Sequence, residues 1–216
     1  RLNHALSQGQ ALHICALVPI IVGDFATALV ASEQVAAFTE EHQLGYFQFW
    51  ARNFRACAEA KLHTSDALLS RRVEIETQQA FKDSVAVWYF HCWVAECLLS
   101  QGRVEEAKQE VKRAIALVDA SDERWGQAEV ERLRGECLAA LGIWEEAEHW
   151  LRRAMVSAQG IGALMFELRA TLSLYRLLQR QGGQAEGQAL LAGVTARFQE
   201  GTDLPEIGEA LRILAL

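Results

Sequence analysis

Between Ala128 and Ala154 the chain reads AEVERLRGECLAALGIWEEAEHWLRRA, with apolar residues at three- and four-residue intervals in two runs parted by Leu141-Gly142-Ile143. That period lines the apolar side chains along one helix face, so the stretch predicts two short amphipathic helices joined by a tight turn. Small residues stand at fixed offsets, at Gly135, Gly142, Ala147 and Ala154. A Gly closes the first helix, and small residues let the second lie close against it while large apolar residues fill the spaces between.

The same frame fits the rest of the chain. The turn Gly and the Ala five residues beyond it return as Gly102 and Ala107, as Gly23 and Ala28, and as Gly182 and Gly187, where Gly replaces the Ala. Ala67 also falls in place, although Leu62 stands where its turn Gly should be. The markers 28, 67, 107, 147 and 187 lie 39, 40, 40 and 40 residues apart, which defines an internal repeat. The offsets resemble those of a tetratricopeptide (TPR) unit, drawn out by about a turn per helix. The resemblance implies an all-α, TPR-like right-handed superhelix of five antiparallel helix pairs. It would form one domain over 1–216, with units at about 9–45, 46–82, 83–121, 122–161 and 162–200 and a capping helix at 203–216.

Taken in order, Ala11 to Gly23 is the most apolar stretch, but His13 and Pro19 interrupt it and Asp24 ends it. It is shorter than the roughly 18–20 apolar residues a membrane span needs. It therefore reads as the buried first helix of unit one, bent or ended near Pro19. Phe25 to Glu41 is its partner, and His42 to Gly45 the turn that follows. Tyr46 to Lys61 carries Tyr46, Phe47, Phe49, Trp50 and Phe54 at helical spacing, which reads as core before it reads as a ligand cage. Ser65 and Asp66 are candidate caps for a partner helix ending near Gln79. Unit three, Asp83 to Asp119, holds Trp88, Tyr89, Phe90 and Trp93, and Ser121 opens SDER, a candidate capping box with Glu123 one place short. Trp144 and Trp150 are the large core candidates of unit four. Unit five runs from Leu164 to Gln199, and Leu204 to Leu216, started by Asp203 and Pro205, would cover the last apolar face.

Composition narrows the function. The chain is 51% hydrophobic with two Pro, which suits long helices, and its net charge of −7 is spread without a basic stripe. Direct nucleic-acid binding is excluded on that ground, since phosphates need clustered Lys and Arg. Five Cys without paired spacing suggest a reducing, cytoplasmic setting. Cys57, Cys97 and Cys137 share one frame position 40 residues apart, too far apart on successive helices for a bridge, and read as small packing residues. With no initiator Met and no signal-type segment, the chain reads as a fragment of a larger protein. No Walker A run, HExxH, GxSxG elbow or CxxC pair occurs, and Gly160-Ile161-Gly162 meets Met165 where a dinucleotide loop needs Gly. The six His stand singly, and Glu145, Glu146 and Glu148 suit a solvated helix start. No catalysis, cofactor or metal is expected.

In TPR-like repeats the first helix of each pair lines the inner face. Projected onto this chain, the resemblance gives Phe49, Arg52 and Glu59 in unit two and Tyr89, Glu96 and Leu99 in unit three. It gives Glu129, Arg132 and Glu136 in unit four, and Arg169, Leu172, Arg176 and Arg180 in unit five. Two readings stand side by side: the polar sides of ordinary helices, or a groove with an acidic middle and an Arg-rich end. In the second, Arg132, Arg169 and Arg176 share a concave face and take an anionic partner, so that Arg169→Ala and Arg176→Ala leave stability nearly unchanged.

The segments ERWGQAEVERLRGECLAALG (123–142), EAEHWLRRAMVSAQGIGALMFELRATLSLYRLLQRQG (146–182) and FQEGTDLPEIGEALRIL (198–214) carry a narrower resemblance. They are similar to the TPR-like C-terminal region of bacterial STAND-type ATPase signalling proteins, fused to nucleotide cyclases or winged-helix regulators. The resemblance implies a non-catalytic interaction and regulatory module. Its partner would be a protein segment or the upstream domains of the same polypeptide, with a small anionic effector as the alternative and no membrane contact.

Overall fold

The computed structural model describes residues 4–63, 66–77, 87–121 and 124–215. The fold is all-α, with eleven helices and no strand among the described residues. They fall into two compact units, Arg1–Lys82 and Asp83–Leu216. The candidate cap Ser65, the helix end near Gln79, the unit start at Asp83 and Glu123 of the capping box lie outside the described residues.

The first unit contains α1 (Ala5–Val22), α2 (Phe25–Glu41), α3 (Gly45–His63) and α4 (Ala67–Thr77). Each packs on its neighbour in sequence, and α1 also packs on α3. The bounds of α2 are those its pattern predicts. Pro19 stands in the last turn of α1, where it forfeits a single i→i−4 bond, and the helix ends within a turn of it at Val22. One reading of α1 needs correction. It is not buried throughout: Gly9, His13, Ala16 and Ile20 face its neighbours while Leu6, Ile14 and Val18 are exposed. Among the described residues α1 is also the one helix long and apolar enough to cross a membrane by length and composition.

The aromatic run of α3 is core except for Tyr46, which is exposed at the start of the helix. Phe47, Phe49, Trp50 and Phe54 are buried, and the rings of Phe47, Trp50 and Phe54 lie 5.6, 6.1 and 5.1 Å from His13. Burial in this apolar setting lowers the His13 pKa from 6.5 to about 4, so the imidazole is neutral at pH 7.

The second unit contains α5 (Val87–Ser100), α6 (Val104–Ser121), α7 (Gln127–Ala140), α8 (Trp144–Gly160), α9 (Leu164–Arg180), α10 (Gln184–Thr195) and α11 (Pro205–Leu214). The hairpins α5/α6, α7/α8 and α9/α10 are joined by short turns, and the first helices also pack on one another, α5 on α7 and α7 on α9. Gly102, Gly142 and Gly182 have φ of 72°, 75° and 84°, the left-handed conformation that ends a helix. The residue after each donates its N–H to the carbonyl five back: Arg103 to Leu98 at 2.9 Å, Ile143 to Leu138 at 3.0 Å and Gly183 to Leu178 at 2.8 Å. Where Leu62 replaces the Gly, nothing forces that stop, and α3 runs on to His63.

Close approach at each crossing explains the small residues. A Cβ on Gly135 would meet Leu151 Cγ at 2.7 Å and the Ala147 carbonyl oxygen at 3.1 Å. In the last hairpin the arrangement inverts. Tyr175 occupies the place of Gly135, and a Cβ on Gly187 would lie 2.8 Å from the Tyr175 ring and 3.2 Å from its Cα. Gly187 thus replaces the marker Ala because the facing helix has become bulky there.

Two further readings are corrected. Ser121 does not cap a following helix; it ends α6, its Oγ donating to the Leu117 carbonyl at 2.7 Å. Trp144 is 39% exposed rather than core, and Trp150 is half-buried under the guanidiniums of Arg134 and Arg153, 3.8 and 4.9 Å from its centroid. Cys57, Cys92, Cys97 and Cys137 are buried, and none of them forms a disulfide among the described residues.

Ala147→Leu and Gly187→Ala should each cost about 1–3 kcal/mol in urea melts, since neither crossing has room for added carbon. Gly160→Ala, where nothing lies within 4 Å of the new Cβ, should show no overpacking. His13 gives a second expectation. Its folded pKa lies below the unfolded one, so the unfolded chain binds the extra proton as pH falls from 6.5 towards about 4. Its contribution is therefore constant above pH 6.5 and lost on acidification, by up to about 1.4 kcal/mol per pH unit. Melts of the parent and His13→Phe between pH 7.5 and 5 should diverge in slope below pH 6.5.

Candidate functional site

The projected inner row of the second unit rises from α5, α7 and α9, whose stacking brings residues 40 or so apart into contact. Arg132 lies at its centre with a side chain only 5% exposed. Its Nε donates to Glu129 at 3.0 Å, its Nη1 to Glu136 at 2.7 Å, and its Nη2 to Glu96 of α5 and Glu129 at 2.5 and 2.6 Å. Burial by itself would lower the Arg132 pKa, but Glu129, Glu136 and Glu96 outweigh it and hold it well above the ordinary value.

Arg169 is the second buried guanidinium. Its Nε donates to Glu206 at 2.8 Å and its Nη1 to Tyr89 Oη at 3.0 Å, with Glu129 at 4.0 Å. Burial pushes the Tyr89 phenol well up, against the pull of Arg169, so it stays protonated. Ser173 Oγ donates to Glu136 at 2.6 Å and links α9 to α7. Arg176, half-exposed, reaches Glu209 at 2.6 Å.

The structure thus brings Tyr89, Glu96, Glu129, Arg132, Glu136 and Arg169 together, but as a buried ion-pair network rather than an open cationic face. Stacked first helices exclude water from this row, and guanidiniums there are tolerable only with carboxylates in reach. Phe49, Arg52 and Glu59 belong to the first unit: Phe49 is core, Arg52 is exposed, and Glu59 accepts from Arg55 at 2.8 Å. Glu206 and Glu209 escape the sequence reading because α11 follows the last repeat and has no frame position. The buried pair of His91 Nδ1 and Glu110 Oε2, 2.7 Å apart, was equally hidden, since its members lie on the two helices of a hairpin.

Beside the network the C-terminal ends of α5, α7 and α9 enclose a pocket of about 270 Å³. Leu99, Ala139, Leu177 and Leu151 supply apolar wall, and Ser173, Glu136, Arg176 and Arg180 the polar part. Arg180 is exposed and has no ion pair among the described residues. No group of three or more His, Cys, Asp or Glu among the described residues could hold a metal ion. What fold and site define together is an all-helical protein whose second unit packs three helix hairpins around a charged inner row. No protein-family model matches the chain, and no curated protein is similar to it at a significant level.

Arg132→Ala and Arg169→Ala should each destabilise the fold by about 3–5 kcal/mol, because each strands buried carboxylates. This replaces the near-neutral effect that the sequence alone suggests for Arg169. Arg176→Ala, at a half-exposed pair, should stay within about 0.5 kcal/mol of the parent in the same denaturation assay.

Proposed function

We propose that this chain is a TPR-like right-handed superhelix serving as a non-catalytic interaction and regulatory module of a cytoplasmic bacterial signalling or transcription-regulating ATPase. It takes an acidic, partly apolar protein segment, from another protein or from upstream domains of its own polypeptide. The observation that carries the reading is the pocket at the ends of α5, α7 and α9, where Arg180, without an ion pair among the described residues, and half-exposed Arg176 overlook Leu99 and Leu177. A carboxylate entering there would meet the exposed guanidinium of Arg180 and that of Arg176, whose present partner is a solvent-reachable Glu. Arg forks suit this task because they grip a carboxylate through two parallel N–H bonds. The rest of the inner row supports the reading by being rigid, its charges spent on internal pairs, so little ordering would accompany binding.

Panning a random peptide library against the chain tests this. Peptides enriched in Asp or Glu next to apolar residues are expected, binding in the micromolar range and losing at least ten-fold in affinity with Arg180→Glu, at unchanged melting temperature. Failure to enrich such peptides, or equal binding by Arg180→Glu, would overturn the reading.

A further inference from the structure

The other side of α7 presents a second opening. A cavity of about 410 Å³ lies in the seam between α6 and α7, where successive hairpins meet. One stripe of each helix lines it: Lys108, Val111, Lys112 and Ile115 from α6 face Arg134, Cys137 and Leu138 from α7. The spacings are three and four residues, so each set shares one helix face. The volume lies in the range of small-molecule sites, and the wall has their usual make-up of apolar surface with a few charges.

The charges are all of one sign. In a chain of net charge −7, three cations converge on one cavity whose lining holds no acid. Most guanidiniums elsewhere in this unit find carboxylates: Arg103, Arg113, Arg132, Arg152, Arg153, Arg169, Arg176 and Arg197 are all paired, with Arg180 at the other pocket an exception. At the seam Lys108 pairs with Glu105 at 3.1 Å, but Lys112 and Arg134 have no ion pair among the described residues, and the Arg134 guanidinium sits over the Trp150 ring, 3.8 Å from its centroid. Below them the wall is apolar. Burial pushes the Cys137 thiol up to about 12, so it is neutral at pH 7 and behaves as part of that wall.

We infer that the α6–α7 seam is a binding site for a small amphipathic anion, an alkyl or acyl chain ending in a carboxylate or phosphate. The head lies between Lys112 and Arg134, and the chain runs down along Ile115, Val111 and Leu138 towards Cys137. A cavity of this volume holds a chain of about eight carbons, not a folded partner. Three clustered cations are too few, and too local, for a nucleic-acid backbone. The inference uses neither Arg176 nor Arg180 and stands apart from the peptide reading.

Octanoate is the probe, titrated calorimetrically, with hexyl phosphate as the second head group and 1-octanol and octylammonium as neutral and cationic controls. Octanoate or hexyl phosphate should bind one to one. Either should weaken at least ten-fold with Lys112→Glu and with Arg134→Glu, both exposed positions whose circular dichroism melts report retained folding. Ile115→Trp, which fills the seam, should abolish binding, whereas Arg180→Glu should leave it unchanged. Which head group binds more tightly identifies the ligand as a carboxylate or a phosphate. Three results would overturn the inference: no binding of either anion, unchanged binding in both charge-reversal variants, or 1-octanol binding as tightly as octanoate, which would make the seam an apolar cavity only.

Discussion

How closely two helices can approach at a hairpin crossing governs most of the second unit. At α7/α8 the contact is Gly135 against Ala147 and Leu151; at α9/α10 it is Tyr175 against Gly187. The bulk moves from one helix to the other while the space between them stays filled, as close packing requires. Ala107, Ala147 and Ala154 have no exposed surface at all, which leaves no slack for a larger side chain. With the crossings fixed in this way, the stacking of α5, α7 and α9 follows, and with it the burial of whatever those helices carry on the shared face.

What they carry is charge. Two guanidiniums, Arg132 and Arg169, face four carboxylates, Glu96, Glu129, Glu136 and Glu206, drawn from the three helices α5, α7 and α11. A hydrophobic row would pack as well and cost less desolvation. The planar fork of Arg offers what an apolar row cannot, namely several directed bonds that tie α5 to α7 and α9 to α11 in one register. The row acts as a set of clamps, and the openings at its margin are left for ligands.

Much of this architecture was legible in the chain, because Gly at left-handed turns and Ala at crossings are chosen for backbone reasons that hardly depend on context. The frame located the turns at Gly23, Gly102, Gly142 and Gly182 and the bounds of α2, and it placed Arg132, Glu136 and Arg169 on one layer. The failures have a common cause. Trp144 and Ser121 were read by residue type, but exposure and capping depend on what lies opposite. The state of Arg169 turns on Glu206, a residue of the terminal helix outside the repeat, so the periodic pattern that found the Arg could not find its partner.

The terminal helix shows why a charged row needs a particular cover. An apolar lid would suffice for Leu168, Leu172 and Leu191, and α11 supplies it through Ile207 and Ala210. Yet Arg169 reaches the same end of the unit, and an apolar lid alone would bury it with no counter-charge nearer than Glu129 at 4.0 Å, which already pairs with Arg132. The sequence PEIGEAL answers both needs at once. Ile207 and Ala210 turn inwards, while Glu206 and Glu209, three residues apart on the flanking stripe, meet Arg169 and Arg176 of α9. The cover is therefore specific to this row: exchanging α11 for a helix of equal apolarity but neutral at 206 and 209 would close the core and take from Arg169 its one carboxylate at hydrogen-bond distance.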